Sequence, residues 1–293
     1  MPPILFFSFT VCPAVTQRTF FMRTLIKRGN TQDNNGLVLL PGELSIDTEK
    51  KALRIHDGLT PGGFEAVGVQ AFVPPVGPGP KTLAVGTTDH GWYGEVASAD
   101  LIDGTALAAL VGLSAGTAQE STSGWLKFAL NGKVLFVAKR PLRHTVSWNQ
   151  LDQAGVVYGK EVTIGTDRFL VRLIRGANSD PTVGQTGYDM PLTHGSEWNR
   201  LMYHVHDGVH GNNSNTMASE GITVGDFAQY ADADLFVRTG NGRLTICQER
   251  ISTIDSVDRL YRGHNGISSS GAVNATQTPS IAYGWRPVLE LIP

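Results

Sequence analysis

The chain has 293 residues, a formal charge of −2 and 17% charged residues. That balance excludes a protein that grips nucleic acid through a basic face. Its two cysteines, Cys12 and Cys247, supply neither a disulfide framework nor a paired-cysteine metal or redox motif, although a single disulfide stays open. With 41% hydrophobic residues, 34 glycines and 15 prolines, the sequence suits one to three cored domains of short strands and many turns. So few cysteines fit synthesis in a reducing compartment such as a bacterial cytoplasm.

Residues 1–21 are apolar but lack a basic start, and Pro2, Pro3 and Pro13 interrupt them. They are too short to span a membrane as a helix and form a poor secretory signal. Met22 opens a natural beginning, so this segment is either a leader or a small anchoring tail. In residues 27–63, Leu44 and Ile46 share one face of an alternating run, as do Leu53 and Ile55 in a second run. Such alternation bounded by turn residues predicts a β-hairpin. A lone hairpin leaves its apolar face uncovered, and copies of the same chain are the expected cover.

Farther along, Pro74-Pro75 and Pro78-Gly79-Pro80 predict a linker over residues 73–120, with one short helix after Asp103 carrying Leu107, Leu110 and Val111. Asn131-Gly132 marks a hairpin turn between two apolar runs. Ser147 caps a helix that ends near Gly155, and Gly165 sits in the turn of a further hairpin. Ser196 caps a helix whose Trp198, Leu201, Met202 and Val205 form one stripe. A strand follows Gly240, and the chain closes on a strand whose Pro287 belongs at a sheet edge or bulge. The pattern is α+β, mostly β, without internal repeats.

Lys27-Arg28-Gly29-Asn30-Thr31, Pro41-Gly42-Glu43-Leu44, Asp47-Thr48 and Leu53-Arg54-Ile55-His56-Asp57-Gly58 resemble the N-terminal domain of the phage major tropism determinant, found at the head of many tail-fibre proteins. The resemblance implies a trimeric β-prism. Gly284-Trp285-Arg286-Pro287-Val288-Leu289-Glu290, preceded by a polar loop, resembles the end of phage C-type-lectin-like domains. That resemblance implies a last strand pairing back near the domain's first strand, with loops between them displaying a binding face. The expected organisation is a leader or tail at 1–21, a prism module at 22–72, a linker at 73–120 and a lectin-like display domain at 121–293.

The loop at 261–283 is rich in Ser, Asn, Thr and Gly with tyrosines at its margins, a composition suited to adaptable binding surfaces. Its candidate receptor contacts are Tyr261, His264, Asn265, Ser268, Ser269, Ser270, Asn274 and Tyr283; a solvated loop without ligand is the competing reading. His204 and His206 share a face only if the backbone is extended, and with His210 they then suit a transition metal. The preceding helical stripe turns them apart, so a polar helix end is preferred and no metal or cofactor is expected. Gln277-Thr278-Pro279 is not a lectin calcium tripeptide, so calcium-dependent sugar binding is not carried over. No hydrolase elbow, metalloprotease helix or phosphate loop occurs, and no enzyme is expected. Glu197 beside Trp198 is the one carboxylate–aromatic pair to inspect, and a first-turn helix acid is its plain reading. Arg28, Arg54, Lys139, Arg140 and Arg143 suggest a polyanion site less well than solvated strand faces.

The resemblances imply a homotrimeric virion fibre protein on a phage tail or baseplate, partnered by other virion proteins and by a bacterial surface receptor, with a glycan among the candidates. No nucleic acid or membrane insertion is expected. The alternative is a collar, head or baseplate fibre that docks another virion protein. A fibre-borne glycan depolymerase is a third reading, for which the chain lacks the long repeat.

Overall fold

The computed structural model describes residues 26–65, 76–182, 196–208, 225–235, 240–251, 258–263, 266–267, 269–273 and 279–293. The chain divides into two compact units, Met1–Pro74 and Pro75–Pro293. Among the described residues its architecture is mostly β, with short helices and open sheets. No described helix is long and apolar enough to cross a membrane.

In the first unit, β1 (Ile26–Gly29), α1 (Thr31–Asn35), β2 (Leu44–Asp47), β3 (Ala52–Ile55) and β4 (Phe64–Glu65) build a sheet in the order β1-β2-β3-β4. The predicted hairpin is β2–β3, with Leu44 opposite Ile55 and Ile46 opposite Leu53. Asn30 starts α1 through a reciprocal capping box with Asp33. Gly58 has φ +84°, and a Cβ there would lie 2.9 Å from Pro41. The Pro41-Gly42 and His56-Asp57-Gly58 motifs are therefore two sides of one packed turn. Beside it, the Asp57 carboxylate accepts from the Thr60 and Leu59 N–H groups and the Thr60 hydroxyl. These bonds, that from the Thr60 backbone foremost, hold its pKa down to about 2.

Burial in this unit is inverted. The strand register lines up Ile26, Leu44, Ile55 and Phe64 across all four strands, and Ile46 with Leu53 beside them. Ile26, Leu53, Ile55 and Phe64 on that face are all exposed. The buried side chains among the described residues are the polar Ser45, Asp47, Arg54, His56 and Asn34, with Leu39 the one buried apolar exception. Arg54 donates to the Gly62 carbonyl at 3.0 Å and faces Asp47 at 3.5 Å, and Ser45 Oγ meets His56 Nε2 at 2.9 Å. A polar cluster thus holds one side together while the greasy side stays open.

The second unit contains β5 (Val85–Gly86), β6 (His90–Val96), α2 (Gly104–Val111), β7 (Thr117–Ala118), β8 (Trp125–Leu130), β9 (Lys133–Ala138), β10 (Arg143–Val146), α3 (Trp148–Gln153), β11 (Lys160–Ile164) and β12 (Asp167–Leu173). There follow α4 (Glu197–Met202), α5 (Asp232–Leu235), β13 (Leu244–Arg250), β14 (Arg259–Arg262), β15 (Ser270–Val273), β16 (Ser280–Trp285) and β17 (Pro287–Ile292). One sheet runs β11-β12-β17-β9-β8-β6-β5 and the other β15-β14-β13-β16-β10-β7. The terminal β17 pairs with β12 and β9, one strand from β8.

The central strands of the seven-stranded sheet, β8 and β9, are buried on both faces, whereas the edge strands β5 and β11 are not. Along β9, Val134, Phe136 and Ala138 enter one apolar cluster while Leu135 and Val137 enter another, which accounts for the unbroken apolar run. Asn131 and Gly132 take φ 52° and 74° in the β8–β9 turn, as two-residue hairpins require. Ser147 and Ser196 cap α3 and α4 as expected, and Trp198, Leu201, Met202 and Val205 are all fully buried.

Three expectations need correction. Residues 76–118 are no linker: β6 and α2 give Tyr93, Val96, Leu107 and Val111 to the core. Pro78 and Pro80 lie over the sheet, where their carbonyls receive the Lys127 ammonium at 2.8 and 2.5 Å. Burial lowers the pKa of Lys127 to about 8, and its charge faces the Tyr93 ring at 4.8 Å. Proline rigidity here serves packing, not separation; the short helix after Asp103 is present. Pro287 sits in an interior strand rather than at an edge or bulge, and it is tolerated because it is the strand's first residue. The loop at 261–283 contains β15 and most of β16. In β15, Ser270-Gly271-Ala272-Val273 has no large apolar alternation to announce a strand.

Candidate functional site

The candidate contacts start from β14. Tyr261 pairs with Gly271 on β15 and with Ile246 on β13, while Tyr283 on β16 pairs with Leu244. This register puts both tyrosines on the face that carries Ile246 of the apolar core, two strands apart and offset by two residues, or about 12 Å by ordinary strand spacing. A Cβ at Gly271 would lie 2.6 Å from the Tyr261 hydroxyl, so glycine makes room for the ring. Both tyrosines are half-buried. Burial, with the charge of Asp258 added, raises the pKa of Tyr283.

Ser269 and Ser270 were expected at the contact face, but both are buried, at 0% and 1% exposure. The turn before them is pulled inward, because Ile267 is core and its carbonyl accepts the Trp198 indole N–H at 2.9 Å. His264, Asn265, Ser268 and Asn274 lie outside the described residues.

The histidines go to separate carboxylates. His206 is fully buried; its Nδ1 accepts from the Gly208 N–H at 2.9 Å, and its Nε2–H donates to Asp232 at 2.9 Å. With both ring nitrogens engaged, it has no lone pair for a metal. His204 donates from Nδ1 to Asp226 at 2.7 Å and packs edge-on against His90, ring centroids 4.4 Å apart. Burial lowers its pKa against the opposing pull of Asp226. His210 lies outside the described residues, and no group of three potential metal-binding side chains gathers among those described.

The flagged arginines and lysine of the second unit are spent on their own chain. Lys139 meets Glu95 at 2.9 Å, Arg140 meets Glu120 at 2.8 Å, and Arg143 donates to the Ala115 and Gly116 carbonyls. Cys247 is buried within the second apolar cluster, where burial raises its pKa well above the ordinary value. That thiol is a core side chain and not a nucleophile.

Glu197 belongs to a groove of about 600 Å³ between α4, the 175–180 loop and the face formed by β9, β12 and β17. Its carboxylate takes both Arg172 guanidinium nitrogens, at 2.8 and 2.6 Å, and the Arg175 N–H at 3.0 Å. Arg172 also reaches Glu290 at 3.1 Å, and Lys133 closes the chain on Glu290 at 2.5 Å. Burial works against both ions, yet the pairing holds Arg172 above and Glu290 below their ordinary pKa values. The first-turn acid reading of Glu197 thus gains a partner that spacing concealed.

Glu249 on β13 is 2% exposed and lines the same groove. Its Oε2 accepts the Gly176 N–H at 3.0 Å, while Oε1 has no partner. Burial raises its pKa to about 7. Sequence reasoning passed over Arg172, Arg175 and Glu249. A signal did exist for two of them: an arginine within the apolar run of β12 and a glutamate near the end of an otherwise buried β13.

Residues 26–60 match the family model of the Major tropism determinant N-terminal domain. The opening module is therefore of that kind, as its motifs implied. Solved structures titled Major Tropism Determinant U1, M1 and I1 Variants align over 91% of this chain and 99% of theirs. Identities are 11%, 11% and 12%, with TM-scores of 0.25, 0.20 and 0.21. Scores this low define no shared arrangement of the whole chain. No curated protein matches it.

Proposed function

We propose that this protein is a phage virion attachment fibre, trimerised through its first unit and presenting the second to the bacterial surface. The observation that carries the reading is the tropism-determinant module at 26–60. Support comes from the apolar face of that module, where Ile26, Ile55 and Phe64 are 48%, 45% and 57% exposed. An apolar sheet face of this size needs a cover, and a β-prism of three copies supplies one from identical neighbours. The lectin-like arrangement of the second unit is part of the proposal, with a contact face centred on Tyr261 and Tyr283 and completed by His264, Asn265, Ser268 and Asn274. Three chains per fibre multiply weak contacts into avidity. Tail or baseplate proteins are the proposed virion partners, and the host cytoplasm is the proposed site of synthesis.

The test is competition. Host cells preincubated with the purified protein should adsorb less phage, and Tyr261→Ala with Tyr283→Ala should remove that block. Undiminished adsorption at saturating protein, with particles that fail to assemble when the gene carries the same changes, would instead favour docking to another virion protein. Shortening of host polysaccharide by the purified protein would favour the depolymerase reading.

A further inference from the structure

Residues 225–230 form a strap against β6 and the turn that follows α4. The Phe227 N–H donates to the His204 carbonyl at 2.9 Å, the Tyr230 N–H to the Val205 carbonyl at 2.8 Å, and the Asp207 N–H to the Tyr230 carbonyl at 3.0 Å. On β6, the Glu95 carboxylate accepts from the Tyr230 hydroxyl at 2.8 Å. The apolar hold is slight, because Phe227, Ala228 and Tyr230 are only half-buried where they touch the second cluster. What closes the strap at its start is a stack of three rings. His90 of β6 meets His204 edge-on at 4.4 Å, and Phe227 lies 4.9 Å from the first and 5.0 Å from the second.

Two of those rings can take a proton. His90 donates from Nε2 to the Arg200 carbonyl at 2.6 Å, and His204 donates from Nδ1 to Asp226 at 2.7 Å, so a proton would enter at the opposite nitrogen of each. The groups that face His204 are unevenly matched. Burial opposes its charge most, Asp226 on the strap favours it, and His90 on β6 and Arg200 on α4 oppose it further. The folded pKa therefore lies below the ordinary 6.5, and a ring freed from the stack binds the proton more readily. The hold is complete above pH about 6.5 and is lost as pH falls below it. The neighbouring His206 faces carboxylates instead, Asp232 at 2.9 Å and Asp207 at 3.5 Å. We propose that the His90–His204–Phe227 stack is an acid-sensitive clasp, which holds residues 225–230 at neutral pH and lets them go on mild acidification. The proposal rests on the ring stack and not on the attachment reading, and either can fail alone.

Hydrogen exchange of the intact protein, read by mass spectrometry and corrected for the intrinsic pH dependence of the rate, tests it between pH about 7.5 and about 5.5. Protection of peptides from 225–230 should fall about threefold or more over that range, while peptides from β8 and β9 keep theirs. His204→Asn retains a donor for Asp226 but cannot take the proton, so its strap should hold at both pH values. His90→Gln retains the donor to the Arg200 carbonyl and removes the opposing ring, so its fall should be smaller than the wild type's. Wild-type protection that is equal at both pH values, or a fall in His90→Gln as large as the wild type's, overturns the proposal. So does a fall in His204→Asn that matches the wild type's. Should His204→Asn expose the strap at every pH, His90→Gln decides.

Discussion

The two units solve the same problem in opposite ways. In the second unit the central strands of a seven-stranded sheet are covered on both faces, and residues such as Phe136, Phe169 and Trp198 vanish from solvent. In the first, four short strands bury Asp47 and Arg54 and leave Leu53, Ile55 and Phe64 outside. Size explains the difference. A module of about forty residues cannot enclose an apolar core, so its internal cohesion is hydrogen-bonded and its apolar area stays exposed. A unit of some two hundred residues has enough chain to wrap a core on its own.

The contrast can be broken from either side. Trp198→Ala in the second unit removes a fully buried ring and its bond to Ile267, and it should cost about 3–5 kcal/mol in chemical denaturation. Arg172→Ala strands the buried Glu197 carboxylate and leaves Glu290 with Lys133 alone, and it should cost about 3 kcal/mol or more, while Arg172→Lys should recover only part because the two-nitrogen contact is lost. In the first unit, Ile55→Glu should abolish oligomers and leave the melting of the second unit in place. A variant that unfolds both units together would end the claim that they are separately built.

Proton linkage gives a subtler effect. The folded pKa of Glu249 is about 7 against an ordinary 4.5, so between those values the folded state binds more protons than the unfolded. The stabilisation is present at low pH and is lost as pH rises through about 7. Melting from pH about 8 to about 5 should therefore stabilise the wild type relative to Glu249→Gln. The smallest effect belongs to Asn131→Ala, where an exposed residue at φ 52° loses its tolerance for the left-handed region, at a cost of about 1 kcal/mol.

Local chemistry was legible where a few adjacent residues decide the outcome. Asn131-Gly132, the Ser147 and Ser196 caps and the Trp198–Val205 stripe each appeared where their sequence placed them. The open apolar face of the first module was legible too, because alternation marks it whether or not it is covered. Its buried side was not: Arg54, expected on a solvated strand face, is buried against Asp47. Partnerships across the chain were not. Arg172 finds Glu197 and Glu290 at distances in sequence that carry no pattern, and Lys127 is held by proline carbonyls that read as a spacer. Ser269 and Ser270 looked like surface because small hydroxyl residues carry no burial signal of their own.

The most direct test of the central claim is the mass of the intact chain in solution, by sedimentation at micromolar concentration. Cover of the apolar sheet by identical copies predicts a species of three 31.5 kDa chains that Ile55→Glu reduces to one. A wild-type protein that sediments as a single 31.5 kDa chain, with its first unit resistant to protease, would contradict it.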